Sequence, residues 1–343
     1  MRPTFPATAL RRLSLLSIGM TTTFTLTACS AAPSGDAATS GRSVTPTAHA
    51  APKGVVTVEV ANATLNAYEK SNNRANKTRD RALLATVEGG QLFEQSQADY
   101  RQLKTWPLQE QKEYGSAFSY ANRTWFVPAK GTASWFAATA TSTYGPKNSS
   151  LMIFDKVGGT YKLVASLWST GANPPPAIAT DQHGLAEAVD PSQHVGALAP
   201  TELPAAFADL YATGGKNSGS KLTPTKITKA AISAYTNRDK GANSAYATKK
   251  YFPAQPAHEA VYALRLADGG VLTVFPTAFT SEFMLRPPYM SNHKINPSDR
   301  ESVYNSTSRV LVTNEYQGQA YATLTPTGEP RVLGYESRLV DSR

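Results

Sequence analysis

The most reactive side chain in this sequence is a lone thiol. Cys29 is the only cysteine among 343 residues, and it directly follows Leu26, Thr27 and Ala28. A single cysteine cannot close an internal disulfide, so its chemistry is that of a nucleophile open to modification. The residues ahead of it suit an export signal. Arg2, Arg11 and Arg12 precede a short apolar stretch with Leu13, Leu15, Leu16, Ile18, Met20, Phe24 and Leu26. Ser and Thr interrupt that stretch, which is too short and too polar to span a bilayer stably and reads as a cleaved leader.

Other strings invite catalytic readings and fail on spacing. Residues 214–221 run Gly-Gly-Lys-Asn-Ser-Gly-Ser-Lys, but the Gly-Lys-Ser/Thr end of a phosphate loop is scrambled and no apolar strand precedes it. Ser218 and Lys221 form Ser-x-x-Lys without the Ser-Asp-Asn and Lys-Thr-Gly elements that would complete an acyl-transfer site. His258-Glu259 lacks the second histidine of a zinc helix, and His183, His194 and His293 are not spaced as a ligand pair. No Gly-x-Ser-x-Gly string occurs. The sequence therefore assigns no catalytic residue, no metal ligand and no cofactor.

The run Leu26-Thr27-Ala28-Cys29 resembles a bacterial lipobox. That likeness implies cleavage before Cys29, a diacylglyceryl thioether on its sulfur, and a place on the outer face of the cell membrane. Arg11-Arg12 leaves the export route open between ordinary secretion and a twin-arginine signal. Residues 29–54 are rich in Ala, Ser, Gly, Thr and Pro and hold no large aromatic, so they are expected to form a flexible tether. A coil of that length reaches on the order of 25–30 Å. The formal net charge is +9, and a leader of residues 1–28 with three arginines and no acid leaves +6 on the rest. A basic exported chain suits anionic headgroups or an anionic wall polymer. Location and the absence of a binding motif argue against nucleic acid.

Behind the tether the pattern is first helical, then alternating. Val58, Ala61, Leu65 and Tyr68 share one helical face, and Asn72-Asn73 reads as a break. Further helices are expected over 77–88 and 91–104, the latter anchored by Phe93, Tyr100 and Leu103. Strands are expected over 117–122, 124–128, 134–141, 151–157 and 160–169, with Gly158-Gly159 as a hairpin turn. Residues 171–222 read as a connector with one short helix, and Gly214–Gly219 as a flexible break within it. The grammar then repeats. A helix with Ile227, Ala231, Ala234 and Tyr235 precedes strands over 259–266, 271–275, 278–285, 309–316, 319–325 and 331–340, with Gly318 as a turn. The prediction is an α+β chain of two domains, 55–170 and 223–343, each with helices packed on a curved antiparallel sheet.

Helices followed by a meander resemble the cone-shaped NTF2-like and cystatin-like folds. Asn72-Asn73-Arg74-Ala75-Asn76, Leu83–Glu88, Ser96–Tyr100 and Trp135-Phe136-Ala137 resemble an uncharacterised family of actinobacterial lipoproteins. The cone likeness implies a pocket between the first helices and the sheet, lined by Tyr68, Asp99, Tyr100, Tyr120, Trp125 and Trp135. Its bland counterpart is an ordinary aromatic core. The expected function is a non-catalytic module that binds a protein or small molecule of unknown identity. The alternatives are an NTF2-like isomerase or lyase using that pocket, and a structural protein held to the wall by charge.

Overall fold

A computed structural model describes residues 51–143, 148–170, 174–241 and 243–343, and residues 50–343 form one compact unit. The leader, Cys29 and most of the tether lie outside the described residues.

The first half opens with α1 (Val58–Thr78), α2 (Arg81–Leu84), α3 (Gly90–Gln102) and α4 (Leu108–Tyr114). Thr57 caps α1 with its side chain, and α1 buries Ala61, Leu65 and Tyr68 as their spacing predicts. Val58, in the first turn, is half exposed. The helix also runs through Asn72-Asn73, where a break was expected. Both asparagines find partners inside the fold, Asn72 on Glu88 and Asn73 on the backbone of Phe118.

The strands are β1 (Tyr120–Phe126), β2 (Phe136–Ser142), β3 (Asn148–Val157) and β4 (Thr160–Thr170), paired antiparallel in that order. The two strands expected at 117–128 are one, interrupted by a bulge at which Asn122 takes φ 52°. Gly158 and Gly159 make the predicted hairpin with φ 64° and 84°.

The second half holds α5 (Leu203–Ala212), α6 (Lys226–Thr236), β5 (Ala247–Pro253), β6 (Tyr262–Arg265), β7 (Val271–Leu285), the single turns α7 (Pro287–Met290) and α8 (Asp299–Ser302), β8 (Leu311–Leu324) and β9 (Arg331–Ser342). Its sheet runs β5-β7-β8-β9, with β6 beside the other end of β7. Pro276 and Gly318 do not end strands. Pro276 lies between the stretches of β7 that pair with β6 and β5, where a residue without N–H is easiest to place. Gly318 sits mid-strand because a β-carbon there would meet the Glu336 carbonyl and the Thr277 hydroxyl at 2.5 Å. Edge strand β5, with its two lysines, carries too weak an alternation to be read from sequence.

The expected flexible break at 214–219 is an organised loop around a carboxylate. Asp209 accepts from the amides of Asn217 and Gly219 at 2.9 Å each and from the Thr213 hydroxyl at 2.6 Å. Burial opposes its ionisation, but these hydrogen bonds outweigh that and hold its carboxyl below the ordinary range. The string that looked like a phosphate loop thus wraps an anion of its own chain.

Four layers follow from strand alternation. One face of the first sheet, with Phe136, Ala138, Met152 and Phe154, packs on α1. Its other face, with Ala137, Leu151, Ile153 and Leu167, meets Tyr262, Leu264, Leu272, Val274 and Tyr321 of the second sheet. The far face of that sheet, with Val271, Phe275 and Ala320, packs on Leu203, Phe207 and Leu210 of α5 and Ala231 of α6. The order is helix, sheet, sheet, helix. Runs such as Leu151-Met152-Ile153-Phe154 are continuous because both faces are buried.

Candidate functional site

One buried polar cluster starts at Glu88. Its segment is pinned to β4: Leu163 N–H donates to the Val87 carbonyl at 2.9 Å and Gly89 N–H donates to the Leu163 carbonyl at 3.0 Å. Gly89 and Gly90 then turn the chain into α3, Gly90 with φ 56°. This places the Glu88 side chain against α1 with only 3% of the residue exposed. Its Oε1 accepts from Asn72 Nδ2 at 2.9 Å and from the Tyr68 hydroxyl at 3.3 Å. Its Oε2 makes no well-formed hydrogen bond, although the Ser96 hydroxyl lies close enough to favour the charged form. Burial dominates and pushes the carboxyl up to about 8.

The network continues through amides. Asn76 Nδ2 donates to Asn72 Oδ1 at 2.8 Å, and the Tyr100 hydroxyl donates to Asn76 Oδ1 at 2.8 Å. The Tyr68 hydroxyl is pushed well up by burial and by the neighbouring Glu88 charge.

A second cluster lies on α3. Gln91, Gln95, Asp99 and Gln102 follow at intervals of four, four and three, and all are buried. They meet the second sheet. Gln91 donates to Gln317, and Gln95 to the Glu336 carbonyl at 3.4 Å. Gln102 Nε2 donates to the Leu339 carbonyl at 2.6 Å. Asp99 accepts from Arg338 Nε at 2.7 Å, and Arg338 also faces Glu336 at 3.7 Å. Burial raises the Asp99 carboxyl against the pull of Arg338, while the Asp99 charge raises Arg338 further above its ordinary range.

The six residues read as a pocket are divided. Tyr68, Tyr120 and Trp125 belong to the core under α1. Tyr100 packs with Ala75 and Leu84 in a smaller cluster. Trp135 lies between the sheets, its ring 5.2 Å from that of Tyr262. Asp99 faces Arg338. Asp99 and Tyr100, adjacent on α3, thus point to different partners. The cleft at the start of α3, lined in part by Gly90, Gln91, His258, Tyr262 and Gln319, holds about 30 Å³, room for about one water. A neutral carboxyl such as Glu88 can give or take a proton near neutral pH, but Glu88 does not line that cleft.

Sequence reading missed Glu88, Asn72, Asn76 and Arg338. The one signal available was the 4-4-3 spacing of Gln91, Gln95, Asp99 and Gln102, which traces a helical face as an apolar stripe does. Among the described residues, no group of three or more His, Cys, Asp or Glu side chains is placed to hold a metal, and no helix is long and apolar enough to cross a membrane.

Residues 52–343 match a family described as a domain of unknown function, DUF8094. The chain belongs to this family. It is also 30% identical over 344 aligned positions to a protein of Streptomyces coelicolor named an uncharacterized lipoprotein, covering 96% of this chain and 93% of that one. No solved structure matches. The Glu88 network and the polar face of α3 both lie within the DUF8094 region.

Proposed function

We propose that this DUF8094 protein is a lipoprotein anchored through Cys29 on the outer face of the cell membrane, where residues 55–343 serve as a non-catalytic interaction module. The relative's name supports the anchor. A 96% share of the chain cannot be matched without part of residues 1–54, so the likeness extends into the leader and tether. The observation that carries the binding role is the occupied interior. Tyr68, Tyr120 and Trp125 pack in the core, and the cleft beside α3 admits about one water. Recognition then falls to the outer surface. The module comprises two α+β halves, the first with the helices-on-sheet arrangement of NTF2-like and cystatin-like cones.

The anchor is tested by metabolic labelling with a palmitate analogue and by fractionation of cells producing wild type or Cys29→Ala. Wild type should label and sediment with membranes, and the variant should do neither. A variant that labels and sediments like wild type would remove the anchor from this reading.

A further inference from the structure

We propose that the uncovered end of the second sheet, around Tyr246, Lys250, Arg286 and Lys294, is a binding site for a linear polyanion with repeated phosphate or carboxylate groups. The site deepens the interaction-module reading and depends on it only for a setting outside the cytoplasm.

Strand register locates the surface. Leu272 and Val274 of β7 and Tyr321 of β8 face the first sheet. The same face continues along β7 through Thr280, Glu282 and Met284, which pair with Phe252, Lys250 and Thr248 of β5. There the first sheet no longer covers it. Phe252 is 40% exposed and Tyr246, just before β5, is 51% exposed. The backbone of Arg286 donates to the Tyr246 carbonyl at 2.8 Å, which sets these two residues side by side.

Charge on this end is one-sided. Residues 243–257 and 283–298 contain no Asp or Glu, but hold Lys250, Arg286 and Lys294 with His293. Lys249 alternates to the opposite face of β5, over the Tyr251 ring. Glu282 lies opposite Lys250, and Asp239 is paired with Arg238 at 3.5 Å. Farther across the sheet, Glu315 and Asp341 are both held by Arg343.

Arg286 is held ready for an anion. Its Nε donates to the Ser244 carbonyl at 3.1 Å, and its terminal nitrogens have no hydrogen-bond partner among the described residues. A guanidinium fixed at Nε and open at its two ends takes a phosphate or carboxylate through paired hydrogen bonds. Beside it the Tyr246 ring meets Tyr289 edge to face at 5.0 Å, and Tyr289 meets His293 at 5.7 Å. These rings give an apolar floor with polar tips, suited to a sugar or polyol backbone between charges.

Arg286, beside Tyr246, and Lys250 stand apart along the strand and do not converge. From Tyr246 to Lys250 the strand advances roughly 13 Å. One exposed ion pair contributes little, but several on one chain add through effective concentration. That arrangement selects a repeating polymer over a small anion.

The test uses the chain from Cys29 onward, produced without the leader so that no lipid is attached. The compact unit begins at residue 50 and is left whole. The probes are long-chain polyphosphate, neutral dextran, and vesicles of phosphatidylglycerol or phosphatidylcholine. Polyphosphate should bind, weaken with added salt and outcompete dextran. Arg286→Ala with Lys294→Ala should lose at least tenfold in affinity, and Tyr246→Ala several-fold, with unchanged thermal midpoints. Lys104→Ala with Lys112→Ala, exposed lysines of the first half, should bind as wild type. Equal losses in both lysine and arginine pairs would reduce the effect to net charge and overturn the site. A stronger response to phosphatidylglycerol vesicles than to polyphosphate would make the partner a membrane. Failure of the anchor would appear separately, in the fractionation of Cys29→Ala.

Discussion

Helices α3 and α5 each fill a crowded position against the second sheet, and they do so with opposite chemistry. Helix α5 presents Leu203, Ala206, Phe207 and Leu210, none more than 1% exposed. Helix α3 presents Gln91, Gln95, Asp99 and Gln102. An apolar face gains from burial wherever it lands, so it stabilises without fixing register. A face of amides and a carboxylate gains only when each group meets its partner, and a slip of one residue leaves buried polar atoms unsatisfied. The second kind of contact adds to the apolar sheet-on-sheet contact between the two halves, because α3 precedes the first sheet in the chain and bonds to β8 and β9 of the second.

The sharpest way to break the comparison is on the apolar side. Phe207 contacts the rings of Tyr211, Phe275 and Tyr335. Phe207→Ala should cost about 3–5 kcal/mol, measured as a shift in urea midpoint at constant slope. A cost below about 1 kcal/mol would show that the layer under α5 rearranges freely, and the contrast with α3 would lose its basis.

On the polar side the expected cost is smaller and depends on what is left behind. Asp99→Ala strands Arg338, whose side chain is one-third exposed and retains Glu336, so about 2–3 kcal/mol is expected. Replacing both Asp99 and Arg338 with leucine should recover part of that loss, since no unpaired charge remains. If the double variant is less stable than Asp99→Ala alone, the pair contributes net stability beyond satisfying itself.

What sequence made legible follows the same line. The stripe Ala61, Leu65, Tyr68, the Gly158-Gly159 hairpin and most strand positions follow from apolar periodicity and turn chemistry, and the two-sheet α+β architecture follows from them. The stacking of the sheets did not, because continuous runs such as Leu151–Phe154 show that both faces are buried without saying against what. The Glu88 network was illegible for a different reason. A pattern reading sends every Asn, Gln and Glu to solvent, and only the tertiary fold reveals that Asn72 and Asn76 line up one turn apart to serve a buried carboxyl. Asp209 shows the converse: a glycine-rich string that reads as a break is ordered by an acid five residues upstream.

The smallest expected effect per step is also the most diagnostic, because it is a slope. Glu88 keeps its proton in the fold up to about 8, whereas an unfolded chain releases it near 4.5. Between those values the folded state binds the extra proton, so stability falls as pH rises, by at most about 1.4 kcal/mol per pH unit. The groups facing Glu88 are Tyr68, Asn72, Ser96 and Asp99. Asp99 is itself raised and acts in the same direction. Asp209 and Glu301, whose carboxyls are lowered, add stability that is lost only in more acidic solution, outside this window. Thermal midpoints of wild type should therefore decline from pH 5 to pH 8. Glu88→Gln keeps an acceptor for Asn72 and Tyr68 and removes the titration. Its curve should be flatter, with the gain over wild type growing as pH rises. Parallel curves for the two proteins would place the pH dependence elsewhere and reduce Glu88 to an ordinary hydrogen-bond acceptor in the first core.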